Sequence, residues 1–278
     1  MRNSDKKHRT VRKHKDGPNF TAQHLLHNPG TIKKFIGMAG LQRADTVLEI
    51  GAGKGILTFP LAEITRKVIA VEIDAGFVQT LRAKAANFPH VHIIHGDIRR
   101  MRLPAEPFCA VANIPFSITT AILEKLLGAE GSLLQKGVLI LEKGAAQRFT
   151  RNPNPEPKPL LWSMYFRLDM MAVIPRTHFA PPPSVDAAIL RMVRRDRPLI
   201  PAGKGKHFTA FAAYLLREPR LMVANGLRGI FTPAQLKHSL QLAKANREQP
   251  VASLSLEQWA SLFTSMINHV DSHRWPRG

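Results

Sequence analysis

A single cysteine, Cys109, is all that 278 residues provide, so an internal disulfide and a cysteine-based zinc site are both excluded. Its place within the apolar run Cys109 to Ala112 marks it as a small core residue rather than a nucleophile. Equally absent is any apolar run approaching the ~20 residues that span a bilayer, and the charged N-terminus is followed by no hydrophobic segment. Secretion and membrane insertion are therefore not expected, and the cytosol is the expected compartment. Acidic residues are scarce beside basic ones, 20 against 40, leaving a formal net charge of +20. With 44% hydrophobic residues this excess belongs to a foldable chain, whose natural partner is a polyanion.

Two nucleotide-binding signatures are also missing. The turn Glu49-Ile50-Gly51-Ala52-Gly53-Lys54-Gly55 brings its third glycine one place too early for the nicotinamide fingerprint, and the Gly-x-x-x-x-Gly-Lys-Ser/Thr phosphate loop does not occur. Pyrophosphate binding is disfavoured. What the turn does offer is close backbone approach between a strand and a helix.

The chain opens with a basic stretch, residues 1–16, in which Arg2, Lys6, Lys7, Arg9, Arg12, Lys13 and Lys15 stand among almost no apolar residues. It is expected as a flexible arm that meets phosphates. From residue 17 to 195 strands and helices alternate. A helical pattern from Asn28 carries Ile32, Phe35, Ile36 and Met38 on one face and stops at Gly40. Strands are expected at Val47 to Ile50, Val68 to Val71, Val91 to Ile94, Cys109 to Ala112 and Val138 to Leu141, with helices at Leu57 to Ile64, Phe77 to Ala86 and Ile118 to Leu127. Continuous aliphatic runs between amphipathic helices indicate a mostly parallel sheet covered on both faces, a doubly wound α/β domain. The proline-studded stretch from Asn152 to Pro159 is expected as a loop, followed by an antiparallel pair from the runs Met164 to Ile174 and Ala187 to Val193 at the sheet edge. Arg194 to Pro198 is expected to link to a small helical domain, residues 204–278, whose last helix begins at the capping box Ser255 and Gln258.

The chemistry gathers at consecutive strand ends. Glu72 lies about 20 residues beyond the glycine turn, where a carboxylate accepts the hydroxyls of an adenosine ribose. Asp97, followed by Ile98, is placed to accept from an adenine amine. Asn113-Ile114-Pro115-Phe116 closes the next strand with a side-chain amide, a carbonyl held by proline and an aromatic ring. Such a loop holds a flat heterocycle with an exocyclic amine, and the expectation is an adenine presented for methylation.

The order Asn19-Phe20, Glu49 to Gly55, Val71-Glu72-Ile73-Asp74, Gly96-Asp97-Ile98, Asn113 to Phe116 and Phe179 to Asp186 resembles the ribosomal RNA adenine N6-methyltransferases. Among these it is most similar to the Erm family, which modifies one adenine of 23S ribosomal RNA and confers resistance to macrolide, lincosamide and streptogramin B antibiotics. The resemblance implies a Rossmann-like catalytic domain over residues 17–195, S-adenosylmethionine as methyl donor, 23S ribosomal RNA as partner, no metal, and a monomer. It places Asn19, Thr21, Gly51, Gly53, Glu72, Asp97, Ile98 and Asn113 at the cofactor, and Asn113, Ile114, Pro115 and Phe116 at the reacting base. The family usually has Gln before the Asn-Phe pair and often Leu after it; Pro18 and Thr21 stand there instead, which removes a polar side chain and an N–H from the cofactor lid. Two other readings remain: the small-subunit ribosomal RNA dimethyltransferases, which more typically carry Leu and Tyr in place of Ile114 and Phe116, and a non-catalytic RNA-binding protein on the same scaffold.

Overall fold

The computed structural model describes residues 24–277. The basic arm, Asn19 and Thr21 lie outside the described residues. The chain runs β1 (Leu25–Leu26), α1 (Pro29–Met38), β2 (Thr46–Ile50), α2 (Thr58–Ile64), β3 (Lys67–Glu72), α3 (Ala75–Ala85), β4 (Val91–His95), β5 (Phe108–Asn113), α4 (Thr119–Leu127), β6 (Leu134–Glu142), α5 (Lys143–Phe149), α6 (Pro157–Tyr165), β7 (Phe166–Ile174), β8 (Phe179–Ala180) and β9 (Ala187–Arg194). Four further helices follow: α7 (Gly205–Leu215), α8 (Val223–Leu227), α9 (Pro233–Leu242) and α10 (Leu256–His269).

Seven strands form one sheet in the order β4-β3-β2-β5-β6-β9-β7. The first five are parallel; β9 runs antiparallel to both β6 and β7. Alternation of side chains across the pleat divides the core in two. Val47, Cys109, Val111, Val138 and Ile140 pack with Phe35, Leu61 and Leu81 of α1 to α3, while Leu48, Ala110, Ala112, Leu139 and Leu141 pack with Ile122, Leu126 and Phe149 of α4 and α5. Because both faces are covered, β2 is buried along its whole length and takes Glu49 inside with it. Burial pushes the Cys109 thiol up to about 12, which leaves it protonated and inert.

Side-chain caps fix four of the helix starts. The Asn28 side chain accepts from the Thr31 N–H at 2.9 Å and starts α1, with Pro29 next to it. Asp74 does the same for α3 by accepting from Phe77 N–H at 2.9 Å. The expected capping box at Ser255 and Gln258 is present on α10, and a second, at Thr232 and Gln235, starts α9.

Two expectations are corrected. Pro157 and Pro159 open α6 rather than belong to a loop, since the N–H groups of a first helical turn have no intrahelical acceptor and proline forfeits nothing there. Met164 and Tyr165 therefore end a helix, and β7 begins at Phe166. The expected linker starts inside the sheet, because Arg194 ends β9: it donates to the carbonyls of Leu134 at 2.5 Å and Gly131 at 2.8 Å with its guanidinium 4.5 Å over the Phe166 ring. Arg195 donates from its side chain to Ser163 O at 3.0 Å, while Asp196 to Pro198 are exposed. Helices α7 to α10 bury Phe208, Phe211, Leu236, Leu240, Trp259 and Phe263 in one cluster that also takes Leu160 and Met164 of α6. Helix α6 thus spans two cores, because its Trp162 packs under the sheet.

Candidate functional site

Parallel strands leave their carboxyl ends on one edge of the sheet, and a pocket opens there over β2, β3 and β5. It is lined by the glycine turn (Gly51, Gly53), Glu72 and Ile73 after β3, Asp97 and Ile98 after β4, and Asn113 to Phe116 after β5. The described residues expected at a cofactor or a base are therefore brought together around one opening.

Local geometry gives each group its character. Gly53 has φ +53°, and a Cβ there would lie 3.3 Å from Leu25 Cδ2, so the bare backbone keeps the floor open. Gly55 is different: a Cβ would meet Phe59 at 2.5 Å and Leu81 at 2.9 Å, so this third glycine serves helix packing. The Glu72 carboxylate, only 2% exposed, accepts from Gly53 N–H at 2.7 Å through one oxygen and from Ile73 and Asp74 N–H at 2.8 and 2.9 Å through the other. It holds the glycine turn against β3 and keeps a lone pair in hand for a further donor. Asp97 is already occupied. Arg99 donates to both of its oxygens at 2.7 to 3.0 Å, adds its backbone N–H at 2.9 Å, and holds the carboxyl below its ordinary value. An incoming amine must share Asp97 with Arg99 or displace an arginine whose side chain is half exposed.

Asn113 is oriented by a residue that the sequence reading overlooked. Its Nδ2 donates to the carbonyl of His24 at 2.8 Å, and since a carbonyl only accepts, the amide nitrogen faces His24 and Oδ1 is left to face another donor. His24 is itself held: its Nδ1 meets Pro181 O at 2.8 Å, so that nitrogen carries the proton, and its ring lies 5.9 Å from Phe116. The segment is stitched in place by β1 pairing with β8, by His27 N–H donating to His178 O at 3.0 Å, and by the Thr31 hydroxyl with His178 Nδ1 at 2.8 Å. Ile114 is buried and donates its N–H to Ile140 O at 3.2 Å, while Pro115 leads into a single helical turn, Phe116–Ile118, that leaves the Phe116 ring half-buried at the rim.

Beneath the glycine turn lies Glu49, 1% exposed. Neither of its oxygens has a hydrogen-bond partner among the described residues, and neither does the neighbouring Thr58 hydroxyl. Burial raises its pKa to about 7; Thr58 opposes the rise and the charge of Glu72 adds to it. The sequence did carry a sign of this in the acid within the apolar run Val47-Leu48-Glu49-Ile50. His24 and Leu25 carried one too: Gln23-His24-Leu25-Leu26 has the leading Gln and trailing Leu that the Asn19-Phe20 pair lacks.

An apolar slot bordered by Ile73 and Ile98, a buried carboxylate beside a glycine turn, and a strand-end amide are the features of an α/β methyltransferase built around an adenosine-bearing cofactor. The comparisons with known proteins are narrower. The family model "Ribosomal RNA adenine dimethylase" matches residues 14–268. The "rRNA adenine N-6-methyltransferase" of Bacillus licheniformis is 44% identical over 266 residues, 94% of this chain and 91% of that one. The "Ribosomal RNA small subunit methyltransferase A" of Rippkaea orientalis is 32% identical over 265 residues, 90% of this chain and 97% of that one. Among solved structures, that of "23S rRNA methyltransferase ErmE" superposes with a TM-score of 0.75 at 26% identity, covering 87% of this chain and 99% of ErmE. The chain belongs to the ribosomal RNA adenine dimethylase family and is an S-adenosylmethionine-dependent adenine methyltransferase acting on ribosomal RNA.

The pocket fits that cofactor. Glu72 and Asp97 bring two carboxyl groups to the pocket of a strongly basic protein, which suits a ligand carrying a sulfonium and an ammonium and opposes a pyrophosphate. Among the described residues, no helix is long and apolar enough to cross a membrane.

Proposed function

We propose that this enzyme methylates N6 of one adenine in 23S ribosomal RNA and thereby confers resistance to macrolides, lincosamides and streptogramin B. The observation that carries the catalytic part is the Asn113 amide turned by His24, which leaves Oδ1 as an acceptor beside an aromatic ring. An adenine amine is a poor nucleophile because its lone pair is spread into the ring. Asn113 Oδ1 and the Ile114 carbonyl accept its two hydrogens and favour a tetrahedral nitrogen, while Phe116 holds the ring by its face and steadies developing positive charge. Pro115 fixes the direction of the Ile114 carbonyl. S-adenosylmethionine supplies the methyl group. Glu72 takes the ribose hydroxyls, Asp97 and Ile98 take the adenine of the cofactor, and Gly51 and Gly53 let it approach the backbone. His24 and Leu25 form the wall that Asn19 and Thr21 were expected to supply.

The choice of 23S over small-subunit RNA is supported by the 26% identity to the 23S rRNA methyltransferase ErmE and by Ile114 and Phe116 in the catalytic loop. The small-subunit reading draws on the Rippkaea relative, which aligns over 97% of its length. Residues 17–195 form the catalytic unit and the helices from residue 204 a second unit in a cytoplasmic monomer. Primer extension on both ribosomal RNAs, from cells with and without the gene, separates the targets. A stop at one 23S adenine is the expected result, and a stop confined to the small-subunit RNA overturns the proposed target.

A further inference from the structure

The carboxyl edge of the sheet carries a second opening, a cleft of about 670 Å³ just beyond the end of β6. One wall is the β6–α5 junction with Glu142, Lys143 and Gln147; the other is the loop before β9 with Ser184 and Asp186; Arg176 stands across them. Lys143 N–H donates to Asp186 O at 3.0 Å and ties the two walls, next to the register pair Glu142 and Ala187.

Two features make this more than a surface dent. Two acids and two bases share the cleft, yet among the described residues none of the four enters an ion pair, although eight such pairs form elsewhere. The cleft also lies beside the catalytic pocket. Asn113 is registered with Ile140 on the adjacent strand, so Glu142 lies one strand across and two residues on, roughly 8 Å away by strand geometry. The loop that forms its far wall begins at Pro181, whose carbonyl holds His24.

A site for phosphate alone presents donors, and two carboxylates oppose it. Carboxylates beside an amide and a hydroxyl match the edge of a base that carries an amine, with cations left for the flanking phosphates. We infer that this cleft holds the nucleotide adjoining the target adenine, with the amine of its base donating to Asp186 and its phosphates facing Lys143 and Arg176. This rests on an adenine of ribosomal RNA entering at Asn113. It implies selection against a neighbouring uridine, which has no exocyclic amine to donate.

The test uses the full-length protein and a transcript of whichever ribosomal RNA segment the wild type methylates, with the nucleotide on either side of the target replaced in turn by uridine or an abasic residue. The wild type is expected to lose on the order of tenfold in kcat/KM at one of the two neighbours. Asp186→Ala is expected to lose nothing further on that RNA while binding S-adenosylmethionine normally. Arg176→Ala, on an exposed turn, is expected to weaken RNA binding and flatten log affinity against log salt by about 0.7–0.9. Equal losses for wild type and Asp186→Ala at both neighbours overturn the assignment. If Asp186→Ala fails to bind cofactor, the salt slope of Arg176→Ala decides, and an unchanged slope overturns it. Methylation mapped to small-subunit RNA would revise the proposed target while leaving this comparison intact.

Discussion

Replacing Glu49 by Gln isolates the one carboxyl group that the fold buries without a partner among the described residues. Unfolded, its pKa is 4.5; folded, it is about 7 because burial disfavours the ion. A folded value above the unfolded one means no penalty below pH 4.5, where Glu49 is protonated in both states. The penalty grows between pH 4.5 and 7 and is complete above that range. The displacement corresponds to about 3 kcal/mol, lost from wild-type stability across that window and absent from Glu49→Gln. Burying an amide has its own cost, but that cost is independent of pH and only offsets the whole curve. Chemical denaturation of both proteins without cofactor, at half-unit steps from pH 4.5 to 8, gives the difference directly. The variant is expected to gain about 3 kcal/mol relative to wild type between the ends of that series. A difference that stays flat within about 0.5 kcal/mol would refute a buried, titrating Glu49.

Asn113→Ala is expected to lower single-turnover methylation far more than RNA affinity, because the proposed chemistry uses its acceptor at the reacting amine, and a wild-type rate would remove it from the chemistry. Phe116→Tyr should retain activity and Phe116→Ala should not, since only the ring face is needed. Glu72→Gln is expected to weaken cofactor binding, by calorimetric titration, and also to cost about 1.5–3 kcal/mol of stability, because its charge holds the Gly53, Ile73 and Asp74 N–H groups. Unchanged stability would show that the turn stands without it. Deleting residues 1–15 is expected to leave the melting temperature alone and to make the salt dependence of RNA binding shallower by about 0.7–0.9 for each phosphate that the arm neutralises. Identical slopes for the two lengths would reject the arm as an RNA-binding element.

Strand positions were legible because a strand buried on both faces is a continuous aliphatic run, and the runs at Val47, Val68 and Val138 are all of that kind. Glu72, Asp97 and Asn113 were legible for a related reason: a parallel sheet delivers the residues that end its strands to one edge. Pro157 and Pro159 misled because proline breaks a helix interior but opens a helix, and composition does not tell the two apart. The pairing of Leu25–Leu26 with Phe179–Ala180 was hidden for a simpler reason. A two-residue strand has no period, and its partner lies about 150 residues away. The Arg99 clasp on Asp97 is only two residues long, yet it follows from side-chain geometry that a sequence pattern does not record.

The segment 24–26 bears on how two ligands of opposite charge are kept apart. The cofactor is cationic at its reacting end and the RNA is a polyanion, so a uniformly basic surface would attract one and repel the other. The fold places Glu49 and Glu72 under the glycine turn, both nearly without exposure, and among the described residues buries no lysine or arginine. Charge at Glu49 and Glu72 is felt strongly only in the low-dielectric interior around the glycine turn, while exposed lysines and arginines act on phosphates across the surface. The boundary between the two regions runs through His24, whose carbonyl accepts from Asn113 Nδ2 and whose ring nitrogen holds the Pro181 loop that leads to the cleft beyond β6. Loosening this one residue therefore disturbs acceptor orientation and the outer cleft together. The separation of charge depends on the buried carboxylates, and His24→Ala leaves those in place.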